Sequence, residues 1–269
     1  MDTVMQRNNI RIVGQEDGPA LVLVQGFGCD QVIWDRMLPE FTDHYKVVLF
    51  DHAGTGGADP AAYDPVKYAS LEGYRDDLIQ IMDTLELHNA VVVGHSIAGA
   101  VALAASVESP RVGHLVLLCT SPRYLNDDGY SGGFLPQDLD SILTAVEENY
   151  PLWAASVAPH VTGSPTESVL SAELAERICR LHPEYVRDFL RMAFTADIRP
   201  LLPQVRVPSL ILQTAQDPLT PEAASTYLHQ HLPGSTFTML DFPGTMPHLQ
   251  APVSTAAAIR DYLGAAARG

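Results

Sequence analysis

Cysteine is scarce in this sequence: Cys29, Cys119 and Cys179 are the only three in 269 residues. They are too few and too scattered for a disulfide framework, and no Cys-x-x-Cys pair suggests zinc, so no metal is expected. Long apolar runs are missing as well. No stretch of about 18 apolar residues occurs, and the N-terminal Met1 to Asn9 is polar, without an apolar signal core. Both absences point to a soluble chain of a reducing compartment, the cytoplasm, with no membrane partner. Basic residues are the third shortage, 16 Lys and Arg against 32 Asp and Glu, for a formal net charge of -16. Nucleic acid and anionic lipid repel such a chain, so neither is expected as a partner, and the charge reads as solubility. No internal repeat or low-complexity tract appears, and no cofactor is expected.

What is present is enough apolar residue to build a core. Hydrophobic residues make up 46% and charged residues only 18%, which suits one large α/β domain with an insertion. Short continuous apolar runs recur at Leu21–Val24, Val47–Phe50, Val91–Val93, Leu115–Leu118 and Leu210–Leu212. Runs of this kind are strands buried on both faces of a mostly parallel sheet. Helical stretches at Tyr74–Leu85 and Ala98–Val107 alternate with them, which predicts βαβ units and a doubly wound sheet. Ile10–Val13 reads as an antiparallel edge strand. Between about Tyr124 and Asp197 the alternation breaks into four helical segments, near Pro136–Tyr150, Leu152–His160, Glu167–Leu181 and Pro183–Phe194. The expected organisation is therefore a core of residues 1–123 and 198–269, with a helical lid, residues 124–197, over the carboxyl edge of the sheet. Ligands bind at that edge in open α/β sheets.

Chemistry concentrates at Val91-Val92-Val93-Gly94-His95-Ser96-Ile97-Ala98-Gly99. A buried strand, a Gly-x-Ser-x-Gly turn and a helix of small residues form the context of a nucleophile elbow, with Ser96 as nucleophile. After the strand ending at Val24, Gln25-Gly26-Phe27-Gly28 supplies a glycine-rich turn. The backbone N–H groups of Phe27 and Ile97 are the candidate oxyanion-hole donors. Asp217 follows the strand at Leu210–Leu212, and the order serine, acid, histidine makes it the candidate triad acid. The loop after the next strand, Thr236–Leu240, contains one histidine, His248, which a count along the chain would take as the base.

Read together, these stretches resemble the RsbQ-type regulatory hydrolases of bacteria, and are similar to the plant karrikin and strigolactone receptors. The resemblance rests on Gly26-Phe27-Gly28-Cys29-Asp30-Gln31 with Trp34, on Gly94-His95-Ser96, and on Ser121-Pro122-Arg123-Tyr124-Leu125-Asn126-Asp127 leading into Gly132-Gly133-Phe134. Asn149-Tyr150, Trp153 and Tyr227-Leu228-His229-Gln230-His231-Leu232-Pro233 complete it. It implies an α/β-hydrolase core, a four-helix lid and an apolar pocket over the serine, with Phe27, Phe134, Trp153 and Phe194 as expected walls. It also implies slow turnover of small esters or lactones, or ligand sensing with a regulatory protein partner.

One residue does not carry over. The family's last loop reads Gly-His-x-Pro, whereas here Gly244-Thr245-Met246-Pro247 puts Thr245 where the histidine is expected. A threonine hydroxyl does not titrate near pH 7 and cannot be a general base. His248 matches a second, non-catalytic histidine of RsbQ-type sequences, yet a turn of this loop would bring it round as a substitute. Three readings follow: a serine hydrolase of a small apolar ester or lactone, weak for want of its base; a ligand-binding or regulatory protein that keeps the pocket without turnover; or a lyase or cyclase using the same pocket. An engineered threonine is a fourth account of residue 245, one that sequence alone does not separate from the rest.

Overall fold

A computed structural model describes residues 2–266 of the chain. Seven strands form one sheet: β1 (Arg11–Gly14), β2 (Ala20–Val24), β3 (Lys46–Leu49), β4 (Ala90–His95), β5 (Val112–Leu118), β6 (Ser209–Gln216) and β7 (Ser235–Pro243). Their spatial order is β1-β3-β2-β4-β5-β6-β7. All neighbours run parallel except β1, which pairs antiparallel with β3 at the edge, Arg11 opposite Leu49. Every residue of β2 and of β4 is buried, as continuous apolar strands covered on both faces must be. The chain steps from β2 outward to β3, then crosses back to lay β4 on the other side of β2. The loops leaving β2 and β4 therefore part at the carboxyl edge and open a crevice there, where such sheets bind ligands.

Helices cover the faces. α1 (Asp2–Arg7) was not anticipated, because its residues are mostly polar. It is held by tertiary contacts, with Val4 buried and Asn8 beyond it donating to the Asp51 carbonyl at 3.0 Å. α2 (Leu71–Thr84) buries Leu71, Tyr74, Leu78, Ile81 and Met82, the spacing of one helical face. α3 (Ile97–Glu108) is buried from Ile97 through Ala105, and its small residues allow close approach to the sheet. At Gly99 a Cβ would lie 1.9 Å from Thr120 Oγ1.

Between β5 and β6 come α4 (Pro136–Glu148), α5 (Tyr150–Thr162), α6 (Val169–Cys179) and α7 (Pro183–Thr195). α4, α5 and α7 carry proline in their first turn, where its missing N–H costs nothing. Gly163 ends α5 in the left-handed region, φ 63°. α7 buries Tyr185, Val186, Phe189, Leu190 and Phe194, at roughly 1.5–3 kcal/mol for each large apolar side chain. The chain finishes with α8 (Glu222–His231), α9 (Pro247–Gln250) and α10 (Pro252–Ala266). Among the described residues no helix is long and apolar enough to cross a membrane.

Candidate active site

Ser96 stands between β4 and α3 with φ 57° and ψ -127°. A side chain in that conformation is strained by of order 1–3 kcal/mol. Small neighbours make the turn possible: a Cβ at Gly94 would lie 2.5 Å from the Ala98 carbonyl oxygen, and one at Gly26 would lie 3.1 Å from the Ser96 Cβ. The second distance brings the loop after β2, which carries Phe27, directly against the serine. Ile97 is the first residue of α3, so its amide has no acceptor within the helix. Ser96→Gly should relieve the strain and raise stability by about 1 kcal/mol after glycine's own entropy is subtracted, about 2 °C in Tm. Ser96→Ala keeps the Cβ and so keeps the strain. Equal melting temperatures for the two variants would exclude a strained serine.

Ser96 is 7% exposed, and its hydroxyl meets the Tyr124 hydroxyl at 3.0 Å. Tyr124 lies just past β5, in the Ser-Pro-Arg-Tyr stretch, and is buried. Burial first, then the charge of Asp217, holds its phenol well above the ordinary tyrosine range, although the hydrogen bond to Ser96 opposes this. Sequence reasoning did not single out Tyr124 as a site residue. The only signal was its position after a strand that neighbours β4.

Asp217 follows β6. One carboxylate oxygen accepts from the Leu219 and Thr220 amides at 2.8 and 3.1 Å, the other from Gln213 Nε2 at 2.9 Å. Burial still raises its pKa. The Thr245 hydroxyl faces Asp217 and Cys119, but is buried without a hydrogen-bond partner of ordinary geometry. Its backbone is pinned on both sides: the Thr245 amide donates to the Val161 carbonyl of α5 at 2.8 Å, and His95 Nε2 donates to the Thr245 carbonyl at 2.7 Å. Gly244 before it sits at φ 79°, against Thr162 and Gly163 at the end of α5.

His248 is elsewhere. It is the second residue of α9, is fully buried, and packs between Trp34 (4.6 Å between ring centroids) and His95 (4.4 Å). Neither ring nitrogen has a hydrogen-bond partner, so nothing joins it to Ser96 or Asp217. Burial, then the neighbouring His95, drives its pKa well below the usual histidine value. Pro247, not a loop extension, sets its direction: the proline starts a helix of one turn, and position 248 faces the core.

The four aromatics expected around the serine fall into two contacts. Phe27 meets Trp153 edge-on at 6.0 Å, and Phe134 meets Phe194 at 4.9 Å. Phe194 lies 5.5 Å from Tyr124, and so leads to the serine through that ring. Among the described residues no group of three or more His, Cys, Asp or Glu side chains is placed to hold a metal ion.

A family model of the alpha/beta hydrolase fold matches residues 19–252. Over 254 residues, 94% of each chain, the sequence is 37% identical to the karrikin insensitive 2 receptor CA of Petunia hybrida. It is 36% identical over 262 residues, 97% of each chain, to the strigolactone esterase D14 of Arabidopsis thaliana. The fold superposes on a hydrolase from Oleispira antarctica with a TM-score of 0.93 and 31% identity, covering 98% of this chain and 97% of that one. A seven-stranded sheet with a serine turn at its crevice, matched by these relatives along nearly its whole length, makes this chain a member of the α/β-hydrolase fold family.

Proposed function

We propose that the chain binds a small, mostly apolar ester or lactone above Ser96 and turns it over slowly, as a serine hydrolase without its base. The turn at Ser96 then acts as the nucleophile elbow, and α4 to α7 as a lid. In the reaction the Ser96 oxygen forms a bond to the substrate carbonyl carbon while the Phe27 and Ile97 amides take up the developing oxyanion charge. The serine proton needs an acceptor in that step and the departing oxygen needs a donor. Thr245 supplies neither at neutral pH. Tyr124, held protonated, can donate a hydrogen bond but cannot take the serine proton. What is left is serine attack with a water molecule taking the serine proton and protonating the departing oxygen, helped by the oxyanion hole and by binding and far slower than with a complete triad.

One observation carries this reading: the residue facing Asp217 is a threonine, and the histidine of the same loop is turned into the core. The Ser96–Tyr124 hydrogen bond favours a second reading on the same pocket, ligand binding with no turnover, because it keeps the nucleophile's hydroxyl engaged with a group that cannot deprotonate it. A simple butenolide and p-nitrophenyl acetate test the proposal together. The butenolide should raise the melting temperature, while acetate release stays far below the ~10 s⁻¹ typical of complete enzymes and falls further in Ser96→Ala. Turnover at ordinary enzymatic rates would refute the missing base. No residual rate above Ser96→Ala would leave binding alone.

A further inference from the structure

A cleft of about 740 Å³ is bounded by three segments of the chain. They are the loop after β2 (28–32), the glycine-rich loop after β3 (51–63, in part) and the turn from α6 to α7 (177–185, in part), with Arg11 of β1 closing one side. None of Ser96, Tyr124, Asp217 or Thr245 lines it. Its walls mix guanidinium groups with aromatic rings: Arg11, Arg177 and Arg180 beside Tyr63 and Tyr185, the two rings meeting edge-on at 5.2 Å.

The charge is the informative part. Only 16 residues of the chain are Lys or Arg against 32 Asp and Glu, and three of those cations share this one cleft. Each guanidinium engages its carboxylate through a single nitrogen: Arg11 Nη2 to Asp35 at 2.5 Å, Arg177 Nη1 to Asp30 at 3.0 Å, and Arg180 Nη2 to Glu176 at 2.6 Å. The fork of an arginine has donors to spare after one such contact, and carboxylate is the group its geometry suits. Two polar atoms buried in the same wall have no partner, Arg11 Nε and Gln31 Oε1.

Three carboxylates, Asp30, Asp51 and Glu184, line the cleft as well, matching its three arginines in number. Asp51 is 1% exposed and turned inward, accepting from the Gln31 and Gly57 amides at 2.8 and 2.9 Å and from Asn9 Nδ2 at 2.7 Å. Asp30 is held by Arg177 and by the Val32 amide at 3.2 Å. Glu184 is mostly exposed, with only a 3.9 Å approach to His182. His182 before α7 and Glu184 and Tyr185 in its first turn line the cleft.

We propose that this cleft is a second ligand site, separate from the serine, for a small organic carboxylate with a flat apolar body. The carboxylate lies against Arg11 and Arg180, and the body lies between Tyr63, Tyr185 and the apolar wall. Because the cleft is walled by both core loops and the α6–α7 turn, an occupant ties the helical insertion to the sheet.

Benzoate is the probe, with benzamide as its neutral counterpart and inorganic phosphate as an anion without an apolar body. Binding to the full chain is read by calorimetry and by the melting temperature, in the wild type and in Arg11→Gln/Arg180→Gln. Arg180 is exposed and Arg11 half-buried, and the melting temperature of the double variant without probe reports that it is folded. Benzoate should bind with Kd near or below about 1 mM, at least ten times tighter than benzamide or phosphate. The double variant should lose at least tenfold, while Ser96→Ala changes nothing. Equal binding of benzoate and benzamide, binding that survives the double substitution, or no binding at all overturns the proposal. Ester turnover enters none of these readouts, so the site at Ser96 stands or falls separately.

Discussion

Thr245→His should raise hydrolysis of p-nitrophenyl acetate by about 10²–10⁴-fold, the range one positioned general base contributes. The loop is already built for the replacement. The Thr245 amide and carbonyl are both hydrogen-bonded, to Val161 and His95, so the backbone does not depend on the side chain it carries. The side chain faces Asp217, whose carboxylate would orient an imidazole and stabilise its protonated form once it has taken the serine proton. The gain should require Ser96 and Asp217, and its rate should fall below about pH 6.5 as the new imidazole protonates. Space is the one obstacle, since Thr245 is 2% exposed and the Cys119 thiol lies on the same side. Thr245→His/Cys119→Ala makes room for the larger ring if the single variant folds poorly. A histidine at 245 that leaves the rate unchanged in both backgrounds would show that the missing base is not what limits turnover.

The parts of this protein legible in its sequence are those fixed by local pattern. Apolar runs marked five strands, and the break in alternation marked the four inserted helices, because burial on two faces leaves no polar position for the eye to miss. Gly94 and Gly99 announced the serine turn for a similar reason: only glycine leaves room for Ala98 and Thr120. Residues whose roles come from distant partners were not legible. Tyr124 reaches Ser96 from 28 residues away in the chain, and no spacing rule predicts a hydroxyl pair across two strands. His95, inside the Gly-x-Ser-x-Gly turn, braces the carbonyl of residue 245 from a separation of 150 residues. The direction of His248 was likewise set by a one-turn helix that the loop's proline starts, a detail of backbone path rather than of composition.

Mild acid should destabilise the fold, and His248 should be one of the groups responsible. His95 Nε2 donates to the Thr245 carbonyl, which favours the charged ring, yet burial lowers its pKa to about 4 and keeps it neutral at pH 7. His248 beside it is also held well below the ordinary value, first by burial and then by His95. Burial also lowers His52. The unfolded chain protonates these rings near pH 6.5, whereas the native protein keeps them neutral, so the unfolded state binds more protons in the interval between. Stability from these groups is therefore complete above about pH 6.5 and is lost as pH falls toward 4. His95 alone accounts for on the order of 3 kcal/mol of that loss. Carboxylates act mainly below this window, which keeps the two effects apart. Urea unfolding between pH 7.5 and 4.5 should show the slope, and His248→Phe should remove about one proton from it while keeping a ring against Trp34. The same substitution placed in Thr245→His should leave the restored esterase rate intact. An unchanged acid slope, or a restored rate that collapses without His248, would return that histidine to the reaction and move the base away from position 245.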